Sequence, residues 1–151
     1  MKILIAYYSR TKNTEKIAKK LQQELNCDLE KIDDLNQHKG IVGWIKGGYK
    51  SNRNKGCKIK KIEKNPENYD LTIIGSPVWA SNIASPIITY IKNNKFNKIA
   101  CFVTCNKGGD EKAINNVEKL TSKKLMAKMS LNKKTIKNSK NEINKFLKKV
   151  N

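Results

Sequence analysis

The chain has 151 residues and a mass of 17.2 kDa, with 32 Lys or Arg against 13 Asp or Glu, a formal charge of +19 and a mean hydropathy of −0.68. That length suits one domain around one core, and the longest apolar runs, Ile3 to Tyr8 and Ile99 to Val103, are far too short to span a bilayer. Four cysteines without a CxxC pair and a single histidine, His38, argue for reduced structural thiols rather than a metal site; the positive charge favours anionic partners, or is a solvated coat of lysines.

Met1-Lys2 leads straight into an apolar run, without the h-region and cleavage site of a signal peptide, so a cytoplasmic protein is expected. Lys2 to Tyr8 reads as a first strand. The next segment sets Ile17, Ala18, Leu21 and Leu25 on one helical stripe with lysines opposite. Cys27 to Ile32 alternates like a half-buried strand. Tyr69 to Gly75 is apolar almost throughout, as a strand covered on both faces would be. Pro86 then opens a helix carrying Ile87, Ile88, Tyr90 and Ile91. Lys98 to Thr104 is a fourth strand, and a helix from about Asp110 spaces Ala113, Ile114, Val117 and Leu120. A weaker strand, Leu125 to Leu131, precedes a closing helix with Ile143, Phe146, Leu147 and Val150 on its apolar side.

Five strands alternating with helices predict a single α/β domain over 1–151, a doubly wound parallel sheet in three layers. Right-handed crossovers follow. One segment, 37–61, interrupts the alternation between the second and third strands. It carries eight Lys or Arg and no acid from Lys39 to Lys61, and Ile41, Val42, Trp44, Ile45 and Tyr49 could form a short amphipathic helix that its glycines weaken. It reads either as a covering flap or as a functional insertion.

Ligands of open parallel sheets bind beyond the carboxyl ends of the strands. Three loops lie there: SRTKNT (Ser9 to Thr14), SPVWASNIAS from Ser76, and TCNKGGDE from Thr104. The first joins a strand to a helix. A helix start offers unpaired N–H groups and a partial positive charge to a phosphate, and the hydroxyls of Ser9, Thr11 and Thr14 add donors. The alternative is a polar turn with a helix cap. No GxxxxGK[ST] is present, which argues against nucleoside triphosphate chemistry.

YYSRTKNTEKIAKKL resembles the phosphate loop and first helix of the flavodoxin family, whose pattern is Ser/Thr-x-Thr-Gly-x-Thr after the first strand. IIGSPVWA with its proline-started helix, and VTCNKGG before a helix, are similar to the family's second and third flavin loops. The resemblance runs over essentially the whole chain. It implies strand order 2-1-3-4-5, non-covalent flavin mononucleotide (FMN) and electron transfer. By that resemblance Ser9, Thr11, Asn13 and Thr14 hold the phosphate, with the backbone N–H groups of Arg10 and Lys12. Ser76, Pro77, Val78, Trp79, Ala80, Ser81 and Asn82 flank the isoalloxazine, with Trp79 stacking on it unless it serves as a core or edge-covering aromatic. Thr104, Cys105, Asn106, Gly108 and Gly109 meet the pyrimidine edge, Cys105 as a packing residue rather than a reactive thiol.

Three departures from the family bear on function. Lys12 stands where the family usually has glycine, so either it is strained at positive φ or its ammonium supplements the phosphate contacts. The loop after Trp79 lacks the glycine found in many electron-transfer members, which favours paired-electron chemistry. No second aromatic covers the ring, leaving one face open unless Trp44 or Tyr49 folds over it. The positive charge should also raise the flavin potential above the family norm. The leading reading is an FMN protein passing electrons between redox partners. A second is an FMN-dependent reductase of quinones or similar small acceptors using NAD(P)H. A third is a cofactor-free binder of nucleic acid or anionic surfaces, suggested by ten lysines against one acid between Lys123 and Lys149.

Overall fold

The computed structural model describes residues 1–35 and 54–150. The expected helix over Ile41 to Tyr49, and any cover supplied by Trp44 or Tyr49, lie outside the described residues. In chain order the elements are β1 (Ile3–Tyr7), α1 (Asn13–Leu25), β2 (Asp28–Lys31), a 3-10 turn (Pro66–Asn68), β3 (Leu71–Trp79), β4 (Asn82–Ile83), α2 (Ser85–Lys92), β5 (Lys98–Cys105), α3 (Asp110–Thr121), β6 (Lys128–Asn132), α4 (Lys133–Lys137) and α5 (Lys140–Val150).

Five strands pair in parallel in the order β2-β1-β3-β5-β6. That is the expected 2-1-3-4-5 arrangement once the short antiparallel β4, hung on the end of β3, is set aside. Helices cover both faces. On one, Ile87, Ile88, Tyr90 and Ile91 of α2 and Ala113, Ile114 and Val117 of α3 pack on Ala6, Ile74, Cys101 and Val103. On the other, Ile17, Ala18 and Leu21 of α1 join Ile136 of α4 and Ile143, Phe146 and Val150 of α5 over Ile5, Ile73, Phe102 and Leu131. The alternation Ile73/Ile74 and Phe102/Val103 therefore divides between two apolar faces. A central parallel strand reads as unbroken hydrophobicity for this reason.

Three features differ from expectation. β3 does not stop at Gly75 but continues through Trp79, with Ser76 and Pro77 still paired to Val103 and Thr104 of β5. It then folds back as a hairpin in which Val78 faces Ile83 and Trp79 faces Asn82. The stretch 76–82, expected as a loop, is thus largely strand. The closing helix is α5, as expected, but a further short helix precedes it, because Asn132 and Thr135 form a reciprocal capping box that starts α4 directly after β6. In β2 the buried member is Glu30 rather than Leu29. Its carboxylate accepts the backbone N–H groups of Glu63 (3.0 Å) and Lys64 (3.2 Å), anchoring the chain as it returns from the insertion. The same return is held by Thr89, whose hydroxyl donates to the Cys57 carbonyl (2.7 Å) and accepts from its N–H (2.8 Å), and by a bridge between Asp34 and Ile59.

At the carboxyl end of the sheet Tyr7, Gly75, Phe102 and Met129 lie in one row across four strands. A Cβ on Gly75 would run into the Phe102 ring and sit 3.0 Å from the Tyr7 Cβ. Overpacking of this kind in a close-packed core costs about 1–3 kcal/mol. Gly75→Ala is therefore expected to lower the unfolding free energy by that amount, read as a lower urea midpoint at unchanged m-value, while Gly108→Ala, with open space around it, loses only what its backbone conformation demands.

Candidate functional site

The parallel register sets the ends of β1, β3 and β5 side by side, so the segments that follow them meet. Arg10, Thr11 and Asn13 of the first, Pro77, Val78 and Trp79 of the second, and Thr104, Cys105 and Asn106 of the third line one cleft. Ile136 of α4 forms part of its wall. That residue escaped sequence reasoning, which assigned no separate element between the last strand and the closing helix; the N-x-x-T spacing from Asn132 to Thr135 was the signal for a helix start there.

The floor of the first loop is polar and incompletely paired. The Ser9 hydroxyl is buried and makes no hydrogen bond, a state that costs on the order of 1–3 kcal/mol without a partner. Helix α1 begins just beyond it with no side chain capping its first N–H groups. Its N-cap, Lys12, sits in the left-handed region at φ 64 and ψ −2, so the position does require the conformation that glycine adopts freely. Thr14 is buried, and its hydroxyl lies 2.8 Å from that of Thr104. This bond joins the first loop to the third, and Thr14 serves as a tie between them.

The second segment is a strained hairpin tip. Ala80 and Ser81 are both left-handed, at φ 48 and φ 60, as a two-residue turn between twisted strands demands, although Asn-Gly is the usual choice there. Ser76 is fully buried; its hydroxyl donates to the Pro77 carbonyl (2.8 Å) and accepts the Ala84 N–H (2.9 Å), bracing the hairpin base. Asn82, expected beside a ligand, instead exchanges hydrogen bonds with Asn54 (2.7 Å) and Asn116 (2.7 Å) on the α3 side, away from the cleft lining. Trp79 is 6% exposed and meets Tyr8 edge to face, with ring centroids 5.4 Å apart and planes at 85°. It is thus both part of the core and a wall of the cleft. Burial, aided by the Asp34 charge and opposed by Arg10, pushes the Tyr8 phenol up to about 12, so it stays a neutral hydroxyl at ordinary pH.

In the third loop Gly108 and Gly109 take φ 74 and φ 81. A Cβ on Gly109 would lie 2.7 Å from the Ser81 hydroxyl oxygen and 2.8 Å from its Cα, so the third loop leans directly on the hairpin tip. Gly109 also begins α3 without a side-chain cap. Cys105, half-buried and 4.0 Å from the Ser130 hydroxyl, and Asn106 are shared with a neighbouring hollow lined by Gly108, Asp110, Ser130, Asn132, Lys133 and Lys134.

A family profile described as flavodoxin matches residues 2–150. The chain belongs to the flavodoxin family. The uncharacterized protein MJ0298 of Methanocaldococcus jannaschii is 33% identical over 116 residues, 72% of this chain and 76% of that protein. A flavoprotein from Lactobacillus acidophilus, whose crystal structure is a complex with FMN, superimposes with a TM-score of 0.72 at 23% identity, covering 91% of this chain and 97% of its own. A Bacteroides uniformis protein described as a flavoprotein gives a TM-score of 0.73 at 17% identity over 91% and 96%. These likenesses fix the fold of this flavodoxin-family chain. Among the described residues no helix is long and apolar enough to cross a membrane.

The left-handed N-cap supplies a test of the first loop. Lys12→Gly removes side-chain strain at φ 64 and should raise the unfolding free energy by up to about 1 kcal/mol, whereas the β-branched Lys12→Val should lower it by about 1 kcal/mol. Urea unfolding of the two variants reads both signs.

Proposed function

We propose that this flavodoxin-family protein binds FMN in the cleft between its three strand-end segments and passes electrons between redox partners. The observation that carries the reading is the buried, unpaired Ser9 hydroxyl at the foot of an uncapped helix. A phosphate monoester there would accept that hydroxyl, the free N–H groups of the first turn and the helix field together.

The residues present fit the cofactor. Ser9, Thr11, Asn13 and the backbone of Arg10 and Lys12 would hold the phosphate, while Pro77, Val78 and Trp79 on one side and Thr104 to Asn106 on the other would enclose the ring. FMN supplies reversible uptake of one or two electrons. The chain's own contribution is positional. The Thr14–Thr104 bond and the Gly109–Ser81 contact lock the three segments together, so the cleft is formed in advance and little ordering entropy is lost on binding. The neutral Tyr8 behind Trp79 and the cationic Arg10 in the lining put no negative charge against the ring. A flavin held there should be less reducing than one in an acidic member of the family. Four thiols, none in a disulfide, support a reducing, cytoplasmic setting.

A second reading, an FMN-dependent reductase of small acceptors, is favoured by the glycine-free hairpin tip. Its two left-handed residues already occupy a costly conformation, which restricts further peptide rearrangement. Steady-state NAD(P)H oxidation with a quinone separates carrier from enzyme.

The purified protein should be yellow and should take up FMN stoichiometrically by calorimetry. Ser9→Ala is expected to weaken FMN by about tenfold, some 1.4 kcal/mol. The same change should leave the flavin-free protein as stable or slightly more so, since it deletes a buried unpaired hydroxyl. A colourless protein with no calorimetric uptake would remove the proposal.

A further inference from the structure

The charge of this molecule is distributed unequally between its two helical layers. α1, α4 and α5, which share one face of the sheet, carry ten lysines against three acids. α2 and α3, on the other face, carry three lysines against three acids, and the described segment 54–64 packed beside them adds five lysines against one acid. Within the basic layer two of the acids are already matched, Glu15 by Lys19 at 2.7 Å and Glu142 by Lys145 at 3.7 Å. Lys16, Lys133, Lys134, Lys137, Lys140, Lys148 and Lys149 are exposed and enter no ion pair among the described residues. The layer is also one connected surface, since the Lys20 ammonium of α1 donates to the buried Ser139 hydroxyl ahead of α5 at 2.9 Å.

This layer reaches the cleft at both of its leading edges. Lys12 caps α1 beside the first loop. Lys133 and Lys134 open α4 and line the hollow that shares Cys105 and Asn106 with the cleft, where Asp110 is the one acid among them. Opposite charge at this edge would draw a partner toward the mouth and fix its orientation there, which is the role of rim charges in transient complexes.

We propose that the α1–α4–α5 layer is the docking surface for an acidic redox protein, which seats against Lys12, Lys133 and Lys134 and so brings its own redox centre over the cleft. The proposal rests on the electron-carrier reading above and names the partner's chemistry. Three features favour a protein over other polyanions. The three helices contain no arginine, the side chain suited to bidentate phosphate contacts. The aromatic rings on this face, Tyr7, Phe102 and Phe146, are buried and provide no platform for stacking bases. Among the described residues the exposed large apolar ones are Met1, Leu35 and Met126, none of them on these helices, so the helices offer no wedge for a lipid surface. Hydrated, mobile lysines without such anchors suit a fast, salt-sensitive encounter between proteins.

The test is an amide chemical-shift titration of the isotope-labelled, FMN-loaded protein with a small acidic [2Fe–2S] ferredoxin as probe, at low salt and at about 0.15 M. Two isocharge variants are compared, Lys133→Glu with Lys134→Glu, and Lys112→Glu with Lys119→Glu on α3. Expected are shifts confined to the start of α1, α4 and α5, about tenfold weaker binding for the first pair and less than about threefold for the second. Equal weakening by both pairs, shifts centred on α2 and α3, or tighter binding at about 0.15 M salt of a single-stranded DNA oligomer or an anionic vesicle would overturn the proposal. The flavin absorbance of each sample is read first. A colourless sample fails the cofactor reading alone, and a loaded sample whose titration ignores Lys133 and Lys134 fails the docking proposal alone.

Discussion

The row Tyr7, Gly75, Phe102, Met129 across the carboxyl end of the sheet is the constraint from which the rest of the molecule follows. Parallel pairing in this register sets four strands level at this row, beyond which β3, β5 and β6 run on, and the missing side chain at Gly75 leaves room there for the Phe102 ring and the Tyr7 Cβ. A side chain at Gly75 would crowd the Phe102 ring and the Tyr7 Cβ at this row. The three segments that follow share a cleft because each strand fixes where its loop begins.

Once aligned, those segments are fastened by contacts distant in sequence. Thr14 meets Thr104 across 90 residues in a buried hydroxyl pair, and Gly109 rests on Ser81 with no space for a Cβ. The hairpin tip and the first loop both hold left-handed residues that are not glycine. Each such residue stores strain of the order of 1 kcal/mol, which persists only because the surrounding packing outweighs it. Strain gathered at Lys12, Ala80 and Ser81, on the rims of one cleft, is consistent with a site whose shape matters more than its local stability.

The electrostatics add a second asymmetry to that of the cleft. Helical layers of similar apolar content cover the two faces, yet the helices of one are strongly basic and those of the other balanced. Packing alone does not require this, since the charges lie on the outer faces of helices whose inner faces do the covering. The basic layer adjoins the cleft through Lys12, Lys133 and Lys134 and gives an approaching partner a preferred side.

Much of this could be read from residue order alone. The strict alternation of apolar runs with helical stripes determined the parallel, doubly wound sheet, because runs such as LTIIG and KIACFVT are apolar on both faces and only a sheet covered twice can bury them. The three strand-end segments were legible for the same reason, whereas the left-handed conformation of Lys12 was left open by the sequence and decided by the structure. Tertiary structure decided the rest. Whether Asn82 faces a ligand or the Asn54–Asn116 pair, whether Trp79 lies open or against Tyr8, and whether Ile136 reaches the cleft all depend on side chains brought together across 28 to 71 residues. Local propensity has no term for such contacts. The hairpin beyond Gly75 escaped for a related reason: its turn uses Ala-Ser, which signals nothing by itself and is held left-handed by the strands and the third loop around it.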